Sequence, residues 1–468
     1  MFDLFLALDA TDEQLDFPVI YTSAKEGTAK VNLEDEPTDM KPLMELIVKT
    51  TPAPRVEERP EFRMLVANLD YSDYLGRIAL GKVRSGTVKV GDPLFCIHGD
   101  GSQSKSKVSS ITSFHGMQQT SIEEAGPGEI IGLTGLEEVH IGETLTTDEE
   151  TEALPFQPVD PPTINMQFAV NDGPFAGRDG KLVTARHIWD RLIKETRTNI
   201  SLQVAQTDAP NIFQVRARGE MQIAVVVETM RREGYEVLVS RPEAIYKKGE
   251  NGEILEPFEK LFVEAPNDCL GPIMENLANR KGEIKDMSHK GDMVRIESVI
   301  PTRGLIGFET DLVNITSGLG VISHLFHEYA PEKGEINARK SGSLVSMDTG
   351  KCTAYSLDNL QQRARLMIVP GDEVYPGMIV GQNSREEDLP CNPTKEKKLT
   401  NMRSSGDGKG IILDAPMLLT LEKALEYIGP DEYVEATPNF LRLRKRILDE
   451  TQRKRAGKQK AQKVLMEA

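Results

Sequence analysis

Arg216-Ala217-Arg218-Gly219-Glu220-Met221-Gln222-Ile223 closes a strand-like run and opens a helical one, and the same junction returns downstream as Thr302-Arg303-Gly304-Leu305. Around the first junction the pattern reads strand (Ile164 to Val170), helix (Thr184 to Thr196), strand (Ser201 to Ala205), strand (Ile212 to Ala217), helix (Glu220 to Glu233) and strand (Tyr235 to Val239). Around the second it reads strand (Phe258 to Glu264), helix (Leu270 to Arg280), strand (Glu283 to Met287), strand (Met293 to Ile300), helix (Leu305 to Ile315) and strand (Gly320 to Phe326). One unit used twice, β-α-β-β-α-β of ferredoxin-like type, is predicted. Ile188, Trp189, Leu192 and Ile193 recur at helical spacing and are expected in its core.

Working outward, residues 61–150 change to short strands punctuated by glycine: Gly76, Gly81, Gly86, Gly91, Gly116, Gly126, Gly128, Gly132 and Gly142. Such spacing suits tight turns and predicts a small closed β-barrel. Residues 1 to about 50 read as a helix (Phe2 to Leu8), a β-branched strand (Phe17 to Tyr21) and a helix around Pro42 to Thr50, the last βα portion of an α/β domain. Alone, such a strand leaves an unpaired sheet edge, which points to a missing upstream portion. After Lys340 the chain is again β-rich. A helix is predicted from the Thr420 N-cap to Ile428, and a last helix from Asn439 after Pro438, on which Arg442 and Arg446 lie one turn apart with Lys445 flanking them and Arg444 between, ending in a basic tail.

The chain has 468 residues, 39% hydrophobic and 28% charged, with a formal net charge of -17. That length asks for several cores. No apolar run approaches the ~20 residues of a membrane span, and the N-terminus has no basic region before its apolar residues, so a cytoplasmic location without membrane contact is expected. Cys96, Cys269, Cys352 and Cys391 lie far apart with no C-x-x-C pair, which indicates neither a disulfide framework nor a zinc site; no metal ligands are assigned. His324 and His327 fall on opposite faces of a predicted strand. Against the acidic total, Lys395-Glu396-Lys397-Lys398-Leu399-Thr400-Asn401-Met402-Arg403 concentrates positive charge. Lysine point charges, a planar guanidinium and a donating and accepting amide suit structured RNA.

Several stretches resemble the BipA/TypA family of ribosome-binding translational GTPases: Ala10-Thr11-Asp12-Glu13-Gln14-Leu15-Asp16-Phe17-Pro18, Pro174-Phe175-Ala176-Gly177-Arg178-Asp179-Gly180-Lys181, the two Arg-Gly junctions, Pro370-Gly371-Asp372-Glu373-Val374-Tyr375, Lys397 to Arg403, and Leu421-Glu422-Lys423-Ala424-Leu425-Glu426. The two junctions are shared with elongation factor G and LepA; the segments after Lys340 are not. The resemblance implies a multidomain α+β chain. Its parts are a C-terminal remnant of a GTPase domain (1–54), a translation-factor β-barrel (55–158), two ferredoxin-like domains (159–250 and 251–336), and a family-specific β-rich C-terminal domain with a terminal helix and basic tail (337–468). It further implies a monomer acting on the 70S ribosome and in large-subunit assembly or stress adaptation, with large-subunit rRNA and A-site tRNA as partners.

For the family the resemblance implies GTP hydrolysis with GTP and Mg²⁺. This sequence contains no G-x-x-x-x-G-K-[ST] and no N-K-x-D, so no cofactor is expected for the chain itself, no catalytic residue is assigned, and most of the GTPase domain is expected to be truncated. Ser23, Ala24 and Lys25 match a vestigial guanine loop. RNA contacts are expected at Lys395, Lys397, Lys398, Asn401, Arg403, Arg442, Arg444, Lys445 and Arg446, with Arg218 and Arg303 as further ribosome contacts. The alternative reading is a nucleotide-independent ribosome assembly or RNA-binding factor.

Overall fold

The computed structural model describes residues 1–468 except 73, 117, 137–138, 157–160, 200, 250, 337–338, 340, 397–410 and 468, and it describes their side chains apart from those of 7, 115 and 460–467. The chain divides into two compact units, one formed by Met1–Asn68 with Tyr74–Leu154, the other by Leu69–Asp73 with Pro155–Ala468.

In the first unit, helix Phe2–Ala7 is followed by the short helix Asp12–Leu15, opened by a capping box between Thr11 and Gln14. The strand expected at Phe17 to Tyr21 as part of a parallel sheet is not formed. Instead Tyr21–Ser23 pairs antiparallel with Thr28–Lys30, because the turn through Gly27 at φ +66° brings a return strand within hydrogen-bonding reach. Helix Lys41–Thr50 follows, with Pro42 in its first turn and Met44, Ile47 and Val48 exposed.

The glycine-punctuated segment folds as an eight-stranded sheet in the order Gln103–Lys107, Pro93–Ile97, Thr144–Thr146, Arg63–Ser72, Gly76–Ser85, Ile130–Thr134, Ser110–His115, Gln118–Ile122. Among the described residues its hydrogen bonding is an open path, whereas the sequence reading expects closure. Met64, Val66, Ala79, Val83, Leu94, Ile111, Ile131 and Leu133 are buried in its core. Gly81 shows why glycine is needed here: a Cβ would lie 2.3 Å from the Leu65 carbonyl oxygen.

The second unit holds two larger sheets. The first β-α-β-β-α-β repeat does not stand alone: its strand Val237–Ser240 pairs antiparallel with Glu432–Ala436, in register Val237↔Ala436 to Ser240↔Tyr433. This joins it to the C-terminal segment in one eleven-stranded sheet, whose main path runs Gln203–Gln206, Ile212–Ala217, Ile164–Val170, Val237–Ser240, Glu432–Ala436, Leu441–Lys445, Met378–Asn383, Ser343–Ser346, Leu389–Cys391. One core results, in which Phe168, Ile188, Leu192 and Val227 pack with Leu421, Leu425, Val434 and Leu443. Helix Ala185–Thr198 starts at Thr184, whose hydroxyl accepts from the His187 N–H at 3.3 Å, and helix Leu421–Tyr427 starts at the expected Thr420 cap.

The second repeat forms a five-stranded sheet of Lys247–Lys248, Ile254–Pro266, Met293–Pro301, Glu283–Lys290 and Val321–Pro331. The single helix expected from Leu305 to Ile315 is broken into Thr302–Leu305 and Phe308–Ile315, since Gly307 sits at φ +74°. Arg280 satisfies the carbonyls left at the break, donating to Gly304 O and Ile306 O at 2.7 Å each.

The helix expected from Asn439 is a correction of more consequence. Leu441–Lys445 is a strand, paired with Glu432–Ala436 on one side and Met378–Asn383 on the other, and the terminal helix begins only at Glu450. Leu441 and Leu443 alternate with Arg442 and Arg444, a period of two that matches the pleat and brings each cation to an acidic partner elsewhere in the fold.

Candidate nucleic-acid interface

Burial separates the expected RNA contacts on this strand into different roles. Arg444 is 1% exposed, with Nη1 donating to Asp172 Oδ1 at 2.7 Å. Lys445 is 2% exposed, and its Nζ lies 2.6 Å from Asp388, 2.9 Å from Asp431 and 2.9 Å from Glu432. Burial by itself would raise the Glu432 carboxyl, but Lys445 and Arg339, with the Gly429 N–H and the Ser343 hydroxyl, hold it at about 2. Arg444 and Lys445 are thus structural cations. Arg442 donates to Glu435 at 3.0 Å and stacks over Phe440 and Phe175, while Arg446 lies over the Tyr433 ring, so neither is a freely presented charge.

Positive charge converges instead on a cleft where the end of the first repeat, the second repeat and the C-terminal segment meet, lined by Arg241, Arg280, Arg303, Arg339, Arg365 and Lys423, with Glu243, Asp311 and Glu426 as its acids. Three of these cations are committed to the fold. Arg280 pairs with Asp311 at 2.7 Å, Arg303 with the fully buried Glu256 at 2.5 Å and with Gly334 O, and Arg339 with Glu432 at 3.0 Å. Arg241, Arg365 and Lys423 make no ion pair among the described residues. Burial, then Arg339, depress the Arg241 guanidinium below its ordinary value, so an anion arriving there would relieve both penalties. Arg303, expected as a ribosome contact, is at the cleft but held by Glu256. Arg218 is exposed beside the Gly219 cap of helix Glu220–Arg232, with its carbonyl accepting from the Thr163 hydroxyl at 3.0 Å.

Lys395 is exposed at the foot of the lysine-rich loop, where its carbonyl accepts from the Thr353 hydroxyl at 2.6 Å. Lys397, Lys398, Asn401 and Arg403 lie outside the described residues. On helix Glu450–Glu467, Arg453 caps Ile447 O and Leu448 O, Lys454 pairs with Glu450, and Arg455 and Lys458 are exposed. Arg241, Arg365 and Lys423 went unread in the sequence because each is a lone cation far from the others along the chain, Lys423 even within a stretch quoted for the family resemblance; only tertiary contact gathers them.

Ser23, Ala24 and Lys25 sit at the turn of the small antiparallel hairpin, with Ala24 and Lys25 exposed. The residues present do not fit a guanine nucleotide. An exposed turn offers at most backbone contacts, and among the described residues 1–54 there is no glycine-rich loop leading into a helix to receive a triphosphate.

Three family profiles match in chain order: elongation factor G domain 2 over residues 61–148, the elongation factor G C-terminus over 253–340, and the TypA/BipA C-terminal domain over 341–450. A Bacillus subtilis (strain 168) protein named large ribosomal subunit assembly factor BipA is 41% identical over 460 residues, covering 98% of this chain and 75% of that protein. The chain belongs to the BipA/TypA family. Equally named BipA proteins are 44% identical in Synechocystis sp. (95% of this chain, 74% of theirs) and 44% identical in Haemophilus influenzae (98% and 74%). The likeness to BipA thus takes in nearly all of this chain, and the expected truncation of a GTPase domain finds no support in it. The Arg241, Arg365 and Lys423 cleft lies where the matched elongation factor G C-terminus meets the BipA-specific segment. No helix among the described residues is long and apolar enough to cross a membrane.

Proposed function

We propose that this chain is a cytoplasmic factor that binds large-subunit ribosomal RNA and acts in assembly of that subunit, the role named for its BipA relatives. The observation that carries the reading is the cleft: three cations without ion pairs, Arg241, Arg365 and Lys423, in a chain of net charge -17. An acidic protein repels a polyanion except where unpaired cations are gathered, and phosphate contacts then supply affinity and position. Lys395, Lys397, Lys398, Asn401 and Arg403 are assigned, on the family resemblance of their sequence, a second set of RNA contacts, to splayed bases and to tRNA on the 70S ribosome. Arg442 and Arg446, held over the protein's own aromatic rings, are secondary RNA contacts, and Arg218 is a separate one. GTP hydrolysis with Mg²⁺, implied for the family, is assigned to no residue of this chain, and binding is taken to be nucleotide-independent and monomeric.

Binding of the purified chain to large subunits and 70S particles across a salt series tests this. Replacing Arg241, Arg365 and Lys423 together by alanine removes about three phosphate contacts and should lower the slope of log affinity against log salt by about 2 to 3. The triple alanine variant of Lys397, Lys398 and Arg403 should behave alike. An unchanged slope in both variants would remove this surface from the site.

A further inference from the structure

In the first unit three metal-ligating side chains, Cys96, His98 and Glu143, meet at one end of the eight-stranded sheet, with a fourth, His140, against Glu143. Cys96 and His98 are two residues apart at the end of strand Pro93–Ile97 and so share a face. The partner strand pairs Thr144 with Ile97 and Leu145 with Cys96, and continuing that register sets Glu143 opposite His98. The turn before it supplies His140, whose backbone N–H donates to Glu143 at 2.8 Å.

Glu143, only 7% exposed, is the hub. Its Oε1 lies 2.8 Å from His98 Nδ1 and 3.2 Å from His140 Nδ1, its Oε2 lies 3.2 Å from Cys96 Sγ, and Cys96 Sγ is 3.9 Å from His98 Nδ1. The ligand atoms of Cys96, His98 and Glu143 all fall within 4.8 Å of one another. Around a tetrahedral zinc ion, sulfur, nitrogen and oxygen ligands at their usual bond lengths stand about 3.3 to 3.6 Å apart, so the contacts among Cys96, His98 and Glu143 depart from that geometry by only about half an ångström, and His140, 3.2 Å from Glu143, would swing in as the fourth ligand. The far nitrogen of His98 is already engaged, 3.0 Å from the Ser104 hydroxyl, an outer contact that turns Nδ1 inward.

We propose that Cys96, His98, His140 and Glu143 bind a single divalent transition-metal ion of the zinc type. One thiolate and one carboxylate balance the two charges of the ion, and the mixed sulfur, nitrogen and oxygen set disfavours magnesium and calcium, which take oxygen ligands. On binding, the Cys96 thiol proton, which points to Glu143, leaves to solvent, and the imidazoles coordinate as neutral bases. Three ligands come from buried or half-buried positions while His140 has a side chain 58% exposed, so the ion enters from the His140 side. The site ties the Pro93–Ile97 hairpin to the strand Thr144–Thr146, away from the RNA surface proposed above in sequence and in residues.

The test uses the full chain without an affinity tag, stripped with a chelator and titrated with zinc against a chromogenic competitor, then with Co²⁺. One equivalent of zinc and a Co²⁺ spectrum with tetrahedral visible bands and a thiolate-to-cobalt band in the near ultraviolet are expected. Cys96→Ser should abolish the thiolate band, and His140→Gln, at an exposed position that folding does not need, should weaken zinc binding at least tenfold. Failure of the wild-type chain to take up one equivalent overturns the proposal, as does an unaltered cobalt spectrum and affinity in both variants.

Discussion

Replacing Lys445 by methionine separates the structural role from the RNA-binding role that the basic sequence Arg442 to Arg446 suggests. Lys445 is 2% exposed and faces Asp388, Asp431 and Glu432 at 2.6, 2.9 and 2.9 Å. Removing one member of a buried ion pair costs about 3–5 kcal/mol, mostly because the partner stays buried and uncompensated. Glu432 would keep Arg339, the Ser343 hydroxyl and the Gly429 N–H, which places the loss at the lower end, about 3 kcal/mol. The chain's single tryptophan, Trp189, packs against the core that Leu443 shares, so its fluorescence reports unfolding of this unit. With a urea dependence of about 3 kcal/mol per molar, fitting a large unit, the Trp189 midpoint should fall by about 1 M. Affinity for ribosomal particles, measured well below that midpoint, should stay within about twofold of the unaltered chain, since a side chain this enclosed presents no charge to phosphate. An unchanged midpoint together with weakened particle binding would refute the reasoning and return Lys445 to the interface.

Other expectations follow from the same side chains. Glu432 has a folded value of about 2 against an ordinary 4.5, so it stabilises above the higher value and that contribution, on the order of 3 kcal/mol, is lost as pH falls from 4.5 towards 2; Glu432→Gln should flatten this part of the Trp189 stability profile. Glu220 behaves oppositely: burial, then Glu426 and Glu309, push its carboxyl up to about 7, and one oxygen has no hydrogen-bond partner. Because the folded state binds the extra proton, stability falls as pH rises from 4.5 through 7, and Glu220→Gln should raise the urea midpoint at pH 8 but not at pH 4. Burial pushes the Cys352 and Cys391 thiols up to about 12 and Cys96 is also buried, so a thiol reagent should label at most Cys269 in the native chain and all four cysteines in guanidinium. Gly377 sits at φ +87° with a Cβ position 2.7 Å from Leu448, so Gly377→Ala should lose at least about 2 kcal/mol in the same urea assay.

Much of the architecture was legible in residues. The repeated Arg-Gly junction and its flanking periodicities located both β-α-β-β-α-β units, because apolar spacing is a local signal of which face a strand or helix buries. The Thr420 cap and the glycine-rich β segment were read for similar local reasons. The errors share a cause. Phe17 to Tyr21 looked like a parallel strand, but strand type depends on which neighbour is within reach. Asn439 onward looked helical because Asn439 follows Pro438 as a helix start would; the acids that make a strand of this segment stable, Asp172, Asp388 and Glu435, lie on other parts of the fold.

By itself, then, the sequence determined the family, the order of the folding units and the excess of acid over base. Tertiary structure decided which cations remain available. Arg444 and Lys445 are themselves buried and held by carboxylates from other elements, whereas the scattered Arg241, Arg365 and Lys423 meet unpaired at one cleft, and Cys96, His98 and Glu143 meet at another place without any short metal-binding motif. Charge along a chain is additive, but its effect depends on the distance to the opposite charge and on the water between them, and both are set only when the sheets close over the core.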